Sequence, residues 1–286
     1  MKRKIFLASA AVLLAVAAVC TAVLFSVIRG GSGKSGLLEV YYFNVGQGDS
    51  SLAVFPDGTT VMTDTGSGGG FLPEYVSSLG IRRIDCLILT HPHSDHVGGA
   101  GSIADKLDVG MIITNGEGGD LYSYTAFLEA AGMKNIPIKT AKPGMKIRAG
   151  GGEITFFTPS STDHKEENDN GAVMKLAYGE RSFLYMADCG FEIEKELIDG
   201  GADLDCDVIK LGHHGSSSAT SDGLLEKATP LYAIASCEKN NEYGHPDPDT
   251  VRRCEEHGAE VIRTFESEYA VIFRTDGKGL IEKEIR

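Results

Sequence analysis

The stretch LTHPHSDHVGG, residues 89–99, places His91, His93, Asp95 and His96 within six positions. Imidazole nitrogens and carboxylate oxygens are the donors that cations of the zinc and manganese kind accept. The apolar run IDCLILT just before them predicts a strand buried on both faces and ending near Thr90. Residues beyond such a strand form a turn on which side chains can converge. His91 and His93 suit one cation, and Asp95 and His96 suit a second a few ångströms away. Pro92 stiffens the turn, while Gly98 and Gly99 let the backbone run close to the cluster. Two cations flanking a water lower its pKa toward ~7 and neutralise charge growing on the attacked group, which is hydrolytic chemistry.

The elements that must position this cluster are mostly short strands. LLEVYYFNV, SLAVF and TTVMTD read as a meander turning at Asp57-Gly58, followed by a short helix, LPEYVSSLG. GGAGSIADKL and LYSYTAFLEAAG read as helices around the strand VGMIIT. EITFFTP is a further strand, and SSTDHKEENDNG is a polar loop. The second half then repeats the first. SLAVFPDGTTVMTDTG (51–66) and AVMKLAYGERSFLYMADCG (172–190) each run strand, glycine-bearing turn, strand, Asp, Gly. Each leads through a helix-like stretch to another apolar strand with histidines at its end, IDCLILTH and CDVIKLGHH. Two such halves close most naturally as an α/β fold of four layers, αββα, in one domain spanning residues 38–286.

The remaining composition bounds where such a domain works. Of 286 residues, 27 are Lys or Arg and 40 are Asp or Glu, a net charge of −13. Lys2, Arg3, Lys4, Arg29 and Lys34 stand in the first 36 residues, with no acid among them, so the rest of the chain is more acidic still. A surface of that sign repels polyanions at long range. MKRK precedes an uncharged apolar run, Ile5 to Ile28, long enough to span a bilayer as a helix. Residues 1–29 are therefore expected to anchor the chain in a membrane, with 30–37 a flexible linker. The basic cluster sets the N-terminus inside and the domain outside. The alternative is a cleaved signal, with Ala15-Val16-Ala17 as the cleavage site, and a secreted protein. Cys86, Cys189, Cys206, Cys237 and Cys254 form no CxxC pair and are expected as buried free thiols.

Taken in order, FNVGQGDS, DTG, LTHPHSDHVGG, DNGAV, MADCG, VIKLGHHGSSSAT and YGHPDPDT carry a resemblance to the metallo-β-lactamase fold. Within it, the chain looks like the domain of ComEC-type competence proteins. The resemblance implies two divalent cations, Zn2+ or Mn2+, with His91 and His93 on the first and Asp95 and His96 on the second. It makes Asp188 the bridging carboxylate and gives the second site one more histidine, His213 by its spacing from Gly-Ser, with His214 the rival. Many relatives place a further histidine where this chain has Asn170, which leaves the first cation an open or weaker position. GQGDS lacks the Lys and spacing of a phosphate loop.

Around the ligands, Asp95 is expected to orient the attacking water or take its proton. Lys210 is a candidate for steadying a phosphoryl oxygen, against an ordinary strand-edge lysine. The resemblance turns His245 toward the cleft as a general acid or a substrate hydrogen-bond donor. Asp64 is expected to orient a ligand histidine through its second ring nitrogen, and Asp49 to do likewise or to cap its turn. The leading expectation is a membrane-anchored, outward-facing hydrolase of phosphodiesters, those of nucleic acid in particular. The alternatives are a hydrolase of a small ester, lactone, phosphocholine or β-lactam, and a catalytically silent surface module.

Overall fold

In a computed structural model covering residues 36–286 apart from 69, 119–120, 159–163, 165 and 280, strand β1 (Leu38–Phe43) is buried along its whole length except at Glu39. Both of its faces are covered, which is why LEVYYF reads as nearly continuous apolar sequence. Val40 and Tyr42 face the second sheet, and Tyr41 and Phe43 face a helical layer.

The first half continues with the hairpin β2 (Ser50–Val54) and β3 (Thr60–Thr65), helix α1 (Leu72–Ser78), β4 (Arg83–Ile84) and β5 (Cys86–Leu89). A single helical turn, α2 (Ser94–Val97), precedes α3 (Ala100–Lys106), β6 (Asp108–Val109), β7 (Ile112–Thr114), α4 (Tyr122–Met133) and β8 (Ile138–Thr140). The second half holds β9 (Lys146–Ala149), β10 (Gly152–Phe156), β11 (Met174–Tyr178), β12 (Arg181–Tyr185), α5 (Phe191–Asp199) and β13 (Val208–Lys210). It ends with α6 (Asp222–Ala228), β14 (Tyr232–Ala235), α7 (Pro248–Glu256), β15 (Glu260–Arg263), β16 (Ala270–Thr275) and β17 (Glu282–Ile285).

Two sheets form the centre, one ordered β17-β16-β1-β2-β3-β5-β7-β8 and the other β15-β14-β13-β12-β11-β10-β9. Their facing sides bury Tyr42, Phe55, Ile88, Phe156, Phe183 and Phe273, each contributing about 1.5–3 kcal/mol by its removal from water. Leu72, Val76, Ile103, Tyr124 and Phe127 cover the outer face of the first sheet, and Ile193, Leu197, Leu224, Leu225 and Cys254 that of the second. The layers are αββα, as expected. All five cysteines of this region are buried and free. The expected membrane span and most of the linker lie outside the described residues. Among the described residues, no helix is long and apolar enough to cross a membrane.

The internal repeat is visible as topology. β2 and β3 pair antiparallel and β5 lies parallel to β3; β11 and β12 pair antiparallel and β13 lies parallel to β12. The parallel strands β3, β5, β12 and β13 all finish at one rim of the sandwich, where the chemistry-bearing residues emerge. One local expectation needs correction. Asp95 and His96 do not sit on an open turn but on the helical turn α2, whose tight approach to its neighbours depends on glycine. A Cβ at Gly98 would stand 2.4 Å from the Ser67 carbonyl oxygen, and one at Gly48 would stand 2.3 Å from that of Asp95.

Candidate metal centre

One oxygen organises the rim. Asp188 Oδ2 lies 3.3 Å from His96 Nε2, 3.4 Å from His214 Nε2, 3.9 Å from His213 Nε2 and 4.0 Å from His91 Nε2. Asp95 Oδ2 closes the group, 3.1 Å from His214 Nε2 and 3.9 Å from His96 Nε2. Donors held at 2.0–2.1 Å from a tetrahedral zinc stand ~3.3 Å from one another, so these separations are those of a ligand shell. His96 Nε2 and Asp188 Oδ1 are buried and have no hydrogen-bond partner. Orphaned polar atoms of that kind call for an ion or water. The donor set fits a divalent metal cation.

The histidines are aimed from behind. His96 Nδ1 is 2.9 Å from Asp64 Oδ2, which also accepts the Thr90 hydroxyl at 2.7 Å. That hydroxyl is 3.1 Å from His91 Nδ1. Asp64 therefore holds one ring directly and another through Thr90, and both present Nε2 to the rim. His93 Nε2 meets Glu167 at 2.9 Å, leaving Nδ1 to face His91 Nε2 at 3.2 Å. His91, His93, Asp95, His96 and Asp188 are thus brought together.

The late histidine pair departs from the spacing argument. His214, not His213, stands buried between Asp95 and Asp188, with Nδ1 3.2 Å from Asp49. His213 is a third exposed, and its Nε2 is 3.4 Å from Asn168 Nδ2. Both residues take left-handed backbone angles, φ 45° and 56°, so their rings leave the strand end in directions that sequence spacing does not encode.

Lys210 also needs correction. Its ammonium is buried, ion-paired with Asp49, 3.9 Å from Asp188 Oδ1 and within 3.3 Å of the Ala187 carbonyl. It is neither at a strand edge nor free to reach a substrate; β13 is a central strand, and the charge is spent on carboxylates inside the fold. Asp49 lies near the cation donors, but its oxygens are engaged by Lys210 and by His214 Nδ1. It orients His214 from behind. Asn170 is buried with its amide donating to Glu117 at 2.7 Å and accepting from the His164 backbone at 3.3 Å. Asn168, two residues earlier, is the amide that reaches an imidazole, that of His213. His164 itself joins a separate grouping with Glu192 and Glu196.

Electrostatics follow from this crowding. Burial disfavours a charged His96, but Asp188 and Asp64 outweigh it and raise the ring to about 10. His214 is raised in the same way, by Asp188 and Asp49. Burial alone would push the Asp188 and Asp95 carboxyls up, yet His214 and His96 hold both below the usual range. His91 goes the other way, lowered by burial and by His96. His245 stands with its ring 5.6 Å from that of His213 and 6.3 Å from that of His214. Burial, then His214 and His213, lower it to about 4, which favours the neutral ring at neutral pH.

Sequence reasoning passed over Thr90, Asn168 and Glu167. Thr90 adjoins His91 and directly follows the strand, which was a usable signal. Glu167 and Asn168 lay in a polar loop that offered none.

A sandwich of two mixed sheets with imidazoles and carboxylates at one rim defines a metal-binding fold, and comparison identifies it. The Metallo-beta-lactamase superfamily matches residues 43–238, and the chain belongs to that superfamily. It is 27% identical over 245 residues to ComE operon protein 3 of Bacillus subtilis, covering 79% of this chain and 32% of that protein. It is 29% identical over 233 residues to competence protein ComA of Neisseria gonorrhoeae, covering 79% and 30%. The chain thus spans about a third of the length of these relatives. The fold is shared with the metallo-beta-lactamase fold protein YhfI of Bacillus subtilis, TM-score 0.55 at 14% identity over 83% of this chain and 99% of that one.

Proposed function

We propose that the chain is a metal-dependent phosphodiesterase acting on nucleic acid, held at the outer face of a membrane by its N-terminal apolar run. The observation that carries the hydrolytic reading is the ring of imidazole nitrogens around Asp188 Oδ2. His91, His93 and Asp188 would hold one divalent cation, and Asp95, His96, His214 and Asp188 the other. Bound cations of this kind supply an activated water and neutralise charge on a phosphoryl group. Asp95, the more exposed of the central carboxylates and held as the anion, is placed to orient that water. Asp64, Thr90 and Asp49 fix the ring orientations. His245, neutral and facing the histidines, is placed to hydrogen-bond a substrate oxygen.

The choice of phosphodiester rests on the relatives, of which ComA is named for competence and another, Recombination protein 2 of Haemophilus influenzae, for recombination. The membrane placement rests on the run Ile5–Ile28 and its basic flank. Purified protein supplied with Zn2+ or Mn2+ is expected to bind close to two ions per chain and to cleave bis(p-nitrophenyl) phosphate and DNA. His91→Ala should abolish cleavage. No turnover of either substrate with either metal, against turnover of a lactone or β-lactam in the same panel, would replace this reading.

A further inference from the structure

The sandwich carries a second feature at the same rim as the metal centre. Residues 130–152 hold five bases, Lys134, Lys139, Lys142, Lys146 and Arg148, and no acid, in a chain of net charge −13. The segment folds as edge strand β8 of one sheet, a connection, and edge strand β9 of the other. Between them lies a cleft of about 580 Å³ lined by Lys139, Thr140, Lys142, Met145, Lys146 and Ile147. Of its three lysines, Lys142 and Lys146 are exposed and Lys139 is half-buried, in register with Ile113 and through it with Ile88 of the inter-sheet core. Lys146 meets Glu153 at 2.6 Å, which also approaches Arg148 at 3.6 Å, so one carboxylate offsets part of the charge.

Strand direction fixes where this cleft points. β8 runs parallel to β7 and β5, so Thr140 emerges on the side where Leu89 gives way to His91. β9 runs antiparallel to β10, β10 to β11 and β11 to β12, so Lys146, at the start of β9, lies on the side where Tyr185 leads to Asp188. At ~4.8 Å per strand, the cleft is about 10 Å from the end of β5 along one sheet and about 14 Å from β12 along the other. A Cβ on Gly116 would stand 2.6 Å from Thr140 Cγ2, and its neighbour Asn115 bonds the Asn170 carbonyl at 3.1 Å.

We propose that this cleft is a docking track for the sugar-phosphate backbone of a nucleic-acid strand whose scissile diester sits at the metal centre, an inference that rests on the phosphodiesterase reading and extends it. A molecule of net charge −13 repels polyanions at long range, and this cleft offers them three ammonium groups. At ~3.4 Å of axis per nucleotide of a stacked strand, three or four nucleotides bridge the distance. The lining has ammonium groups and no aromatic ring for bases to stack on, so the track reads charge and is indifferent to sequence.

The test measures binding of a fluorescein-labelled 20-nucleotide oligothymidylate by anisotropy, and turnover of bis(p-nitrophenyl) phosphate in parallel. The combined Lys139→Glu, Lys142→Glu, Lys146→Glu variant is expected to bind the oligonucleotide at least tenfold more weakly at low salt. Its log–log salt slope should flatten by about 2, the share of three phosphate contacts on a single strand. Turnover of the small diester should stay within twofold of the unaltered protein. Lys142→Glu alone, at an exposed position, gives a smaller loss in the same direction and guards against misfolding of the triple variant. Unchanged affinity and slope in both variants, or no oligonucleotide binding by the unaltered protein, overturns the track. Lysine-dependent binding without turnover of any diester would sink the phosphodiesterase reading and leave the track standing.

Discussion

Asp64 lies in the last residues of β3, where the hairpin of the first half ends, and Asp188 follows the paired strands of the second. Asp64 turns back into the fold, where it holds His96 Nδ1 and, through Thr90, His91. Asp188 turns outward and offers one oxygen to four imidazoles. Both turns include a residue with left-handed φ, but in the first half it is Asp64 itself, φ 56°, and in the second it is Ala187, φ 50°. A shift of one position between kink and carboxylate sends the side chain to the other side of the turn. The same scaffold therefore supplies the oxygen at the centre of the imidazoles in one half and the holder of those imidazoles in the other.

The sharpest way to break this contrast is to remove each carboxylate. Asp188→Ala should lose metal and activity by well over the ~10–100-fold that Asp64→Ala is expected to cost through misdirected histidines. Equal losses in metal affinity, measured by competition with a chelating dye, would erase the distinction. The histidine pair sharpens it next. His214→Ala should lower metal content per chain, because His214 stands between Asp95 and Asp188, while His213→Ala should retain the metal and lower turnover less. The reverse ranking by elemental analysis would return the second site to His213.

The smallest expected effect is on stability against pH. Asp95 and Asp188 are held below the usual carboxylate range, so their contribution is present above about pH 4 and fades as acid drives the pH toward their folded values. His96 is raised to about 10, so its contribution is complete below its unfolded value and lost as pH climbs through 10. Chelator-treated protein should therefore melt highest between about pH 4 and 6.5 and at falling temperatures toward pH 10. Zinc should remove the alkaline decline, since a cation takes the ring only after its proton leaves. A midpoint flat across that range in the chelated protein would mean the charges are not coupled as the geometry requires.

Much of this was legible in the chain. Continuous apolar strands such as IDCLILT announced burial on both faces, and the repeated strand-turn-strand-Asp order announced two halves. The crowding of His91, His93, Asp95 and His96 announced cation chemistry, and Asp64 was placed behind a histidine by analogy with Asp188. Lys210 was misread because its neighbours, Asp49 and Asp188, come from opposite halves of the sequence. Asn168 and Glu167 were missed because a polar loop has no periodicity to read.

Residue type and spacing alone determined the kind of chemistry and the layers that carry it, since both depend on local pattern: donors bunched at a strand end, and hydrophobic faces repeating along strands. Only the tertiary structure decided which of His213 and His214 meets Asp95, that Lys210 is bound up inside, and that the basic edge strands of two different sheets end on the side of the candidate metal centre. Each of those depends on a backbone kink or on strands far apart in the chain being brought side by side, and neither is written in any short stretch of residues.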